Sequence, residues 1–183
     1  MAKVIFQMSI SVDGYVEGPN REIDWHIVDE EFNAYAVETL AATDVLIMGR
    51  RNYELMAGYW PTASDADPVK AYLNGLPKLV FSRTLSRVDW QNSRLATGTV
   101  AEEVARLKQK SGDGLLWVGG SELASGFLEQ GLLDEVRVIV TPILIGGGHP
   151  VLGDITRRHP LTLLSTRTFK SGNVLLRYEP ARR

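Results

Sequence analysis

The chain contains no cysteine. That removes disulfides, thiolate metal ligands and cysteine nucleophiles together, and it fits a reducing compartment. It also has little excess charge: the formal net charge is −2, with Lys and Arg scattered along the chain. Such a balance offers no electrostatic footprint for nucleic acid or an anionic membrane. Long apolar runs are missing too. The longest, 138-VIVTPILI-145, contains Pro142 and falls far short of the roughly 20 residues that span a bilayer. The first residues, MAKVIFQMSISVDG, are interrupted by Gln7, Ser9 and Ser11 and do not form a signal peptide. The expectation is a soluble, cytoplasmic protein with a small-molecule substrate. Its three histidines, His26, His149 and His159, show no metal-ligand spacing, so no metal site is expected and they read as surface or loop residues.

What is present is an ordinary globular composition, 44% hydrophobic and 23% charged over 183 residues. A chain of this length reads as one domain that buries about two thirds of its unfolded surface. Residues 3–10 form a nearly continuous apolar run, which suits a strand covered on both faces. The segment 29-DEEFNAYAVETLAAT-43 spaces Phe32, Tyr35, Ala36 and Leu40 as a helix does, with acids in its first turn. A strand over 44–49 ends at Gly49, short helices and a loop fill 52–76, and a third strand covers 78–84. Thr99 and Glu102 form a capping box for a helix over 99–112 that Gly112 stops. A strand over 115–118, a helix over 121–130, a long strand over 136–145 and a hairpin around Ser171-Gly172 complete the pattern. Strands alternating with helices imply a three-layer α/β architecture with a mainly parallel sheet, to which the hairpin adds antiparallel strands.

Three strand ends carry groups suited to an anion. Gly119-Gly120 stands between a strand and a helix, where it either cradles a phosphate or merely eases the turn. Its spacing with Gly126 is not the dinucleotide fingerprint G-x-G-x-x-G, and no P-loop is present. Yet glycines let a phosphate approach the backbone, and the N–H groups of Gly120, Ser121 and Glu122 would open a helix N-terminus. Gly49-Arg50-Arg51 ends a second strand; two arginines there suit phosphate or simply a solvated surface. Ser82-Arg83, at the end of a third, offers a hydroxyl and a guanidinium suited to a phosphate monoester. Ligands of open α/β sheets lie beyond the carboxyl ends of strands. A ligand carrying both a diphosphate and a monophosphate, as NADPH does, would use all three.

The pieces 11-SVDGYVEG-18, 44-DVLIMGRRNYE-54, 78-KLVFSRTL-85, 117-WVGGSELASGFLEQGLLDEVRVIVTPILIGGGHP-150 and the closing hairpin resemble the dihydrofolate reductase fold. They are most similar to the reductase half of bifunctional riboflavin-biosynthesis deaminase–reductases and their stand-alone relatives. The resemblance implies an NADPH-dependent reductase acting on a small heterocycle. Gly49, Arg50, Arg51 and Asn52 would meet the cofactor phosphates, and Ser82 and Arg83 the 2′-phosphate. Gly119, Gly120, Ser121 and Glu122 would pack on the diphosphate; Ile10, Ser11 and Val16 would border the nicotinamide. Two departures stand out: Asn52 replaces the family's usual Thr, and Ala124 stands where folate enzymes carry an aromatic.

On the substrate side the resemblance implies a first-helix carboxylate. Counting from Trp25 gives Glu30 as the catalytic group, whereas counting back from Met48 gives Asn33; alternatively Asp29, Glu30 and Glu31 only stabilise the helix start. Asp13, Trp25, Glu31 and Thr141 are the expected substrate contacts. The zinc deaminase signature is absent from a chain without cysteine. Homodimerisation is implied as well, with 134-DEVRVIVTPIL-144 as a candidate contact edge. A rival reading keeps the nucleotide crevice and has lost the chemistry.

Overall fold

A computed structural model describes residues 1–181. The strands are β1 (Lys3–Ser11), β2 (Tyr15–Glu17), β3 (Thr43–Gly49), β4 (Lys78–Phe81), β5 (Ser93–Leu95), β6 (Leu115–Gly119), β7 (Glu135–Thr141), β8 (His149–Pro150), β9 (Leu161–Thr168) and β10 (Val174–Pro180). The helices are α1 (Glu30–Ala41), α2 (Arg50–Tyr59), α3 (Lys70–Gly75), α4 (Val100–Lys110) and α5 (Ser121–Glu129), with one 3₁₀ turn over Trp60–Thr62. Eight strands form one sheet in the order β5-β4-β3-β6-β1-β7-β10-β9. The six from β5 to β7 are parallel, and β10 runs antiparallel to both β7 and β9. The expected three layers and closing hairpin are therefore present.

The apolar run of β1 is explained by its central place. Val4 and Phe6 face a core shared with Ile47, Val118, Val104 of α4 and Phe127 of α5. On the opposite face Leu46, Met48 and Val80 pack with Leu40 of α1, Tyr53 of α2 and Leu73 of α3. Each such fully buried side chain contributes about 1.5–3 kcal/mol of transfer free energy. Helix-covered strands need apolar residues on both faces, so alternation is lost and a continuous run remains.

Three features differ from the sequence reading. The short strand β5 pairs with β4, and β2 pairs with β8 as a separate two-stranded sheet; three- and two-residue strands carry too little periodicity to read. The long strand expected over 136–145 ends at Thr141, because Pro142 has no N–H for the ladder. Finally, β7 lies between β1 and β10, so the 134–144 stretch cannot be a contact edge. The free edge on that side is β9, exposed over all eight residues.

One buried cation braces the far side of the sheet. Lys78, only 1% exposed, donates to the carbonyls of Leu76 (2.7 Å), Asn74 (3.1 Å) and Gln91 (3.2 Å) and stands 4.2 Å from the Trp90 ring centroid. Burial pushes its pKa down to about 8. The contacts tie α3 to the approach into β5 and fix the base of β4, whose other end carries Ser82-Arg83.

Candidate functional site: a crevice at the strand ends

Three of the five helices start without a side-chain cap, α2, α3 and α5, and two of these, α2 and α5, start side by side. Asp29 caps α1, accepting from Phe32 N–H at 2.8 Å, and Thr99 caps α4 in a full capping box with Glu102. By contrast α2 begins at Gly49 and α5 at Gly120, and neither glycine can supply a cap. The first N–H groups of a helix need acceptors, and together with the helix dipole they make an anion seat.

The two uncapped starts adjoin each other because β3 and β6 are paired in parallel, with Met48 opposite Gly119. Asn52, in the first turn of α2, lies directly against the Gly119-Gly120 turn. A Cβ at Gly119 would fall 2.6 Å from Asn52 Oδ1, and one at Gly120 would fall 3.3 Å from Asn52 Cβ. Gly120 also has φ +94°, a conformation that L side chains avoid. Gly120 is thus demanded by backbone conformation as well as by the nearby Asn52 Cβ, whereas at Gly119 the obstacle is the tip of the Asn52 side chain. Arg51 bridges the same gap to Glu122 at 2.7 Å, with both side chains mostly exposed. Such a pair contributes little, so the guanidinium is free to exchange partners. Arg50 is similarly paired with Glu54 at 3.0 Å. The Ser121 hydroxyl oxygen is enclosed with no hydrogen-bond partner among the described residues, the condition of a group awaiting a ligand or water.

The third strand end differs in kind. Ser82 Oγ accepts from the N–H groups of Leu85 (2.9 Å) and Thr84 (3.1 Å), so it holds its own turn while its proton stays available. Arg83 is exposed, and no carboxylate pairs with it among the described residues. At the end of β1, Ser11 is fully buried and accepts from Tyr15 N–H. It lies beside Thr141 of β7 in register, and Thr141 is 2% exposed. Ile10 is half-buried and Val16 buried, which gives this end of the crevice an apolar border.

On the substrate side the expected residues are divided among several places. Glu30 and Asn33, the two results of opposite counting, lie on one face of α1 and line the same open cavity with Val37 and Pro68. Glu31 lies on another face. Its carboxylate accepts from Lys170 N–H (2.9 Å) and Arg167 (3.2 Å), and these bonds hold its pKa below the usual carboxylate range. It pins α1 to the β9–β10 turn, and in this structure its carboxylate is occupied by those two donors. Asp13 is also committed. It accepts from Gly146 N–H (2.8 Å) and Ile145 N–H (3.2 Å), and hydrogen bonding, from the Ser11 hydroxyl first, lowers its pKa. It braces the loop after β7. Trp25 is half-buried, donates to the Glu22 carbonyl and meets His26 edge-on at 4.3 Å. The Gly146-Gly147-Gly148 run serves β2 and β8: a Cβ at Gly148 would strike the Glu17 carbonyl oxygen at 2.1 Å.

His26 and His159 lie in loops, as expected, and both are half-buried. The His26 Nε2 is enclosed without a partner among the described residues, and burial lowers its pKa. His159 is paired with Glu129 at 3.2 Å. Ala124 faces the core with Phe127, away from the crevice. No sequence signal marks Ser121 as enclosed, though its place after two glycines at a helix start is suggestive.

A family model, the RibD C-terminal domain, matches residues 2–175. The chain belongs to that family. Within it, the uncharacterized protein YyaP of Bacillus subtilis is 33% identical over 179 residues, covering 96% of this chain and 94% of YyaP. Among solved structures, a Shewanella sp. PV-4 protein named for riboflavin biosynthesis superposes with a TM-score of 0.77 at 24% identity, covering 100% of both chains. A bifunctional deaminase/5-amino-6-(5-phosphoribosylamino)uracil reductase from Thermotoga maritima gives 0.72 at 14% identity, covering 98% of this chain and 57% of that one. The fold is the dihydrofolate reductase-like one of these reductase domains. No described helix is long and apolar enough to cross a membrane.

Proposed function

We propose that the protein is an NADPH-dependent reductase that reduces a small heterocyclic substrate of the riboflavin-pathway pyrimidine or pterin-like kind, in the cytoplasm. One observation carries this reading: two uncapped helix starts, at Gly49 and Gly120, joined across Arg51 and Glu122. Their N–H groups suit a diphosphate, the enclosed Ser121 hydroxyl adds a donor, and the unpaired Arg83 suits a 2′-phosphate on the neighbouring strand end. When bound, the cofactor supplies the hydride. The chain's part is positional. Gly49, Arg50, Arg51, Asn52, Gly119, Gly120, Ser121 and Glu122 would hold the diphosphate; Ser82 and Arg83 would select the phosphorylated adenosine. Ile10, Ser11 and Val16 would exclude water from the reacting end, and Thr141 would orient the substrate beside Ser11. Glu30 would be the carboxylate that assists protonation. It is exposed, so its proton would exchange freely with solvent.

A second reading, a nucleotide-binding protein without turnover, is favoured by one observation. Of the first-helix acids, Asp29 caps the helix, Glu31 is tied to Lys170 and Arg167, and Glu30 is open to solvent. Titration of NADPH against tryptophan fluorescence tests the shared premise; no saturation at millimolar cofactor would sink both. With binding in hand, Arg83→Ala is expected to weaken NADPH by about tenfold or more, the scale of hydrogen bonds to charged groups, while sparing NADH. Equal loss for both would show the 2′-phosphate misplaced. Turnover of the ribosylaminopyrimidine phosphate or of dihydrofolate separates enzyme from binder. The homodimer belongs to the same proposal, with β9 in place of β7 as the contact edge.

A further inference from the structure

The end of the sheet opposite the crevice carries a polar row that core packing does not explain. On the face covered by α1, Gln7 of β1 pairs with Arg137 of β7, Arg137 with Arg177 of β10, and Arg177 with Ser165 of β9. One step along, the same two central strands place Ile139 against Leu175, the apolar choice this face allows. Two like charges directly opposite across strands are destabilising. A single buried carboxylate compensates: Glu135, 1% exposed, accepts from Arg137 Nε (2.7 Å), Arg177 Nε (2.6 Å) and Arg177 NH2 (3.2 Å). Within the row one positive charge is left over, offset in part by Glu38 of α1, which acts on Arg177 from the cavity wall. Arg137 is 7% exposed and held by its Nε alone; its two terminal nitrogens and Arg177 Nη1 have no protein acceptor among the described residues and stay in reach of solvent. Arg137, Arg177 and Ser165 line a cavity of about 430 Å³ whose wall is Tyr35 and Thr39 of α1. Of its other charged groups, Arg167 is held by Glu31 and Asp113 by the amino terminus; Glu38 stands in the wall.

We propose that this cavity is a second ligand site, for a small organic anion bearing a carboxylate or a phosphate monoester. Glu135 fixes both guanidiniums by their inner nitrogens and so presents the outer ones together, which is the donor arrangement such oxyanions take. The volume lies within the range of ligand pockets. The site is independent of the crevice: Arg137 lies four residues before the carboxyl end of β7, about 13 Å away at strand rise, and no residue is shared.

Removing Arg137 or Glu135 would strand a buried charge, so the test uses Ser165 of the outer strand, opposite Arg177, in variants whose sedimentation matches the parent protein, because β9 is also the proposed dimer edge. Inorganic phosphate and succinate are titrated while the two arginine Nε–H resonances held by Glu135 are followed by NMR. Both resonances are expected to move together and saturate with at least one of the two anions. Ser165→Glu should raise the midpoint about tenfold by charge repulsion, and Ser165→Lys should lower it. Resonances that stay still or drift without saturating with both anions overturn the proposal. So does a midpoint that both variants leave unchanged, including the case in which only amides of the Gly120 turn respond.

Discussion

The contact of Asn52 with the double glycine yields a prediction with an internal control. At Gly119 φ lies outside the left-handed region, so alanine there meets no backbone strain; the obstacle is Asn52 Oδ1 at 2.6 Å and Cγ at 3.4 Å from the new Cβ. At Gly120 the obstacle is twofold: φ is +94°, and the near neighbour is Asn52 Cβ at 3.3 Å. Overpacking costs about 1–3 kcal/mol, and holding a non-glycine residue in a sparsely populated backbone region costs a similar ~1–3 kcal/mol. Asn52→Ala removes Oδ1 and Cγ but keeps Cβ. It should therefore rescue Gly119→Ala and leave Gly120→Ala unrelieved. In urea unfolding, the double-mutant cycle is expected to give a coupling of about 1 kcal/mol or more for the 52–119 pair and near zero for 52–120. Additivity at 119, or rescue at 120, would show that Asn52 does not pack on the turn as described, and would remove the packing argument for the glycines.

Glu103 is fully buried and accepts from Arg94, Arg106 and Thr97; the Arg94 bond first, then the others, hold its pKa at about 2. A depressed carboxylate stabilises the fold above its ordinary value of 4.5 and loses that contribution as pH falls toward 2. The stability difference between wild type and Glu103→Gln should be full at neutral pH and shrink through that window; a pH-independent difference in unfolding experiments would refute it. On the outer strand, Leu163 is 53% exposed. Leu163→Asp should leave monomer stability within about 0.5 kcal/mol yet shift any dimer to monomer in analytical ultracentrifugation, and an unchanged dimer would place the contact elsewhere.

The main architecture was legible because helix-covered parallel strands leave apolar runs, and because Asp29, Thr99 and Glu102 announce their helices by side-chain chemistry. The strand ends proposed to seat the phosphates stood out for the opposite reason: glycine stands where a cap would otherwise be expected. Glu30 and Asn33 could not be separated from sequence because they sit three residues apart on one helical face and share one cavity. Glu31 and Asp13 read as free acids because their partners, Lys170 and Gly146, are more than a hundred residues away. Edge and centre were confused for the same reason. The apolar pattern of β7 says that it is covered, and only the pairing with both β1 and β10 says by what.

That pairing also explains why one strand serves two chemically different ends. Along β7 the α1-facing positions run Glu135, Arg137, Ile139, Thr141. Read as sequence, Thr141 falls inside a strand expected over 136–145, and nothing in the sequence marks Glu135 and Arg137 as buried. Glu135, Arg137 and Thr141 are all within 7% exposure, so each polar group there carries a desolvation penalty and needs a partner. Glu135 has two arginines. Thr141 lies beside Ser11 in register, and Arg137 has a protein partner for only one of its three nitrogens. A strand that keeps polar residues at both buried ends, with Ile139 between them, sacrifices hydrophobic burial twice. At the crevice the proposed substrate contact of Thr141 would account for that sacrifice. At the other end the Arg137 guanidinium is the group still to be matched, which is why the outer strand beside it, at Ser165, is where a single charge should be felt.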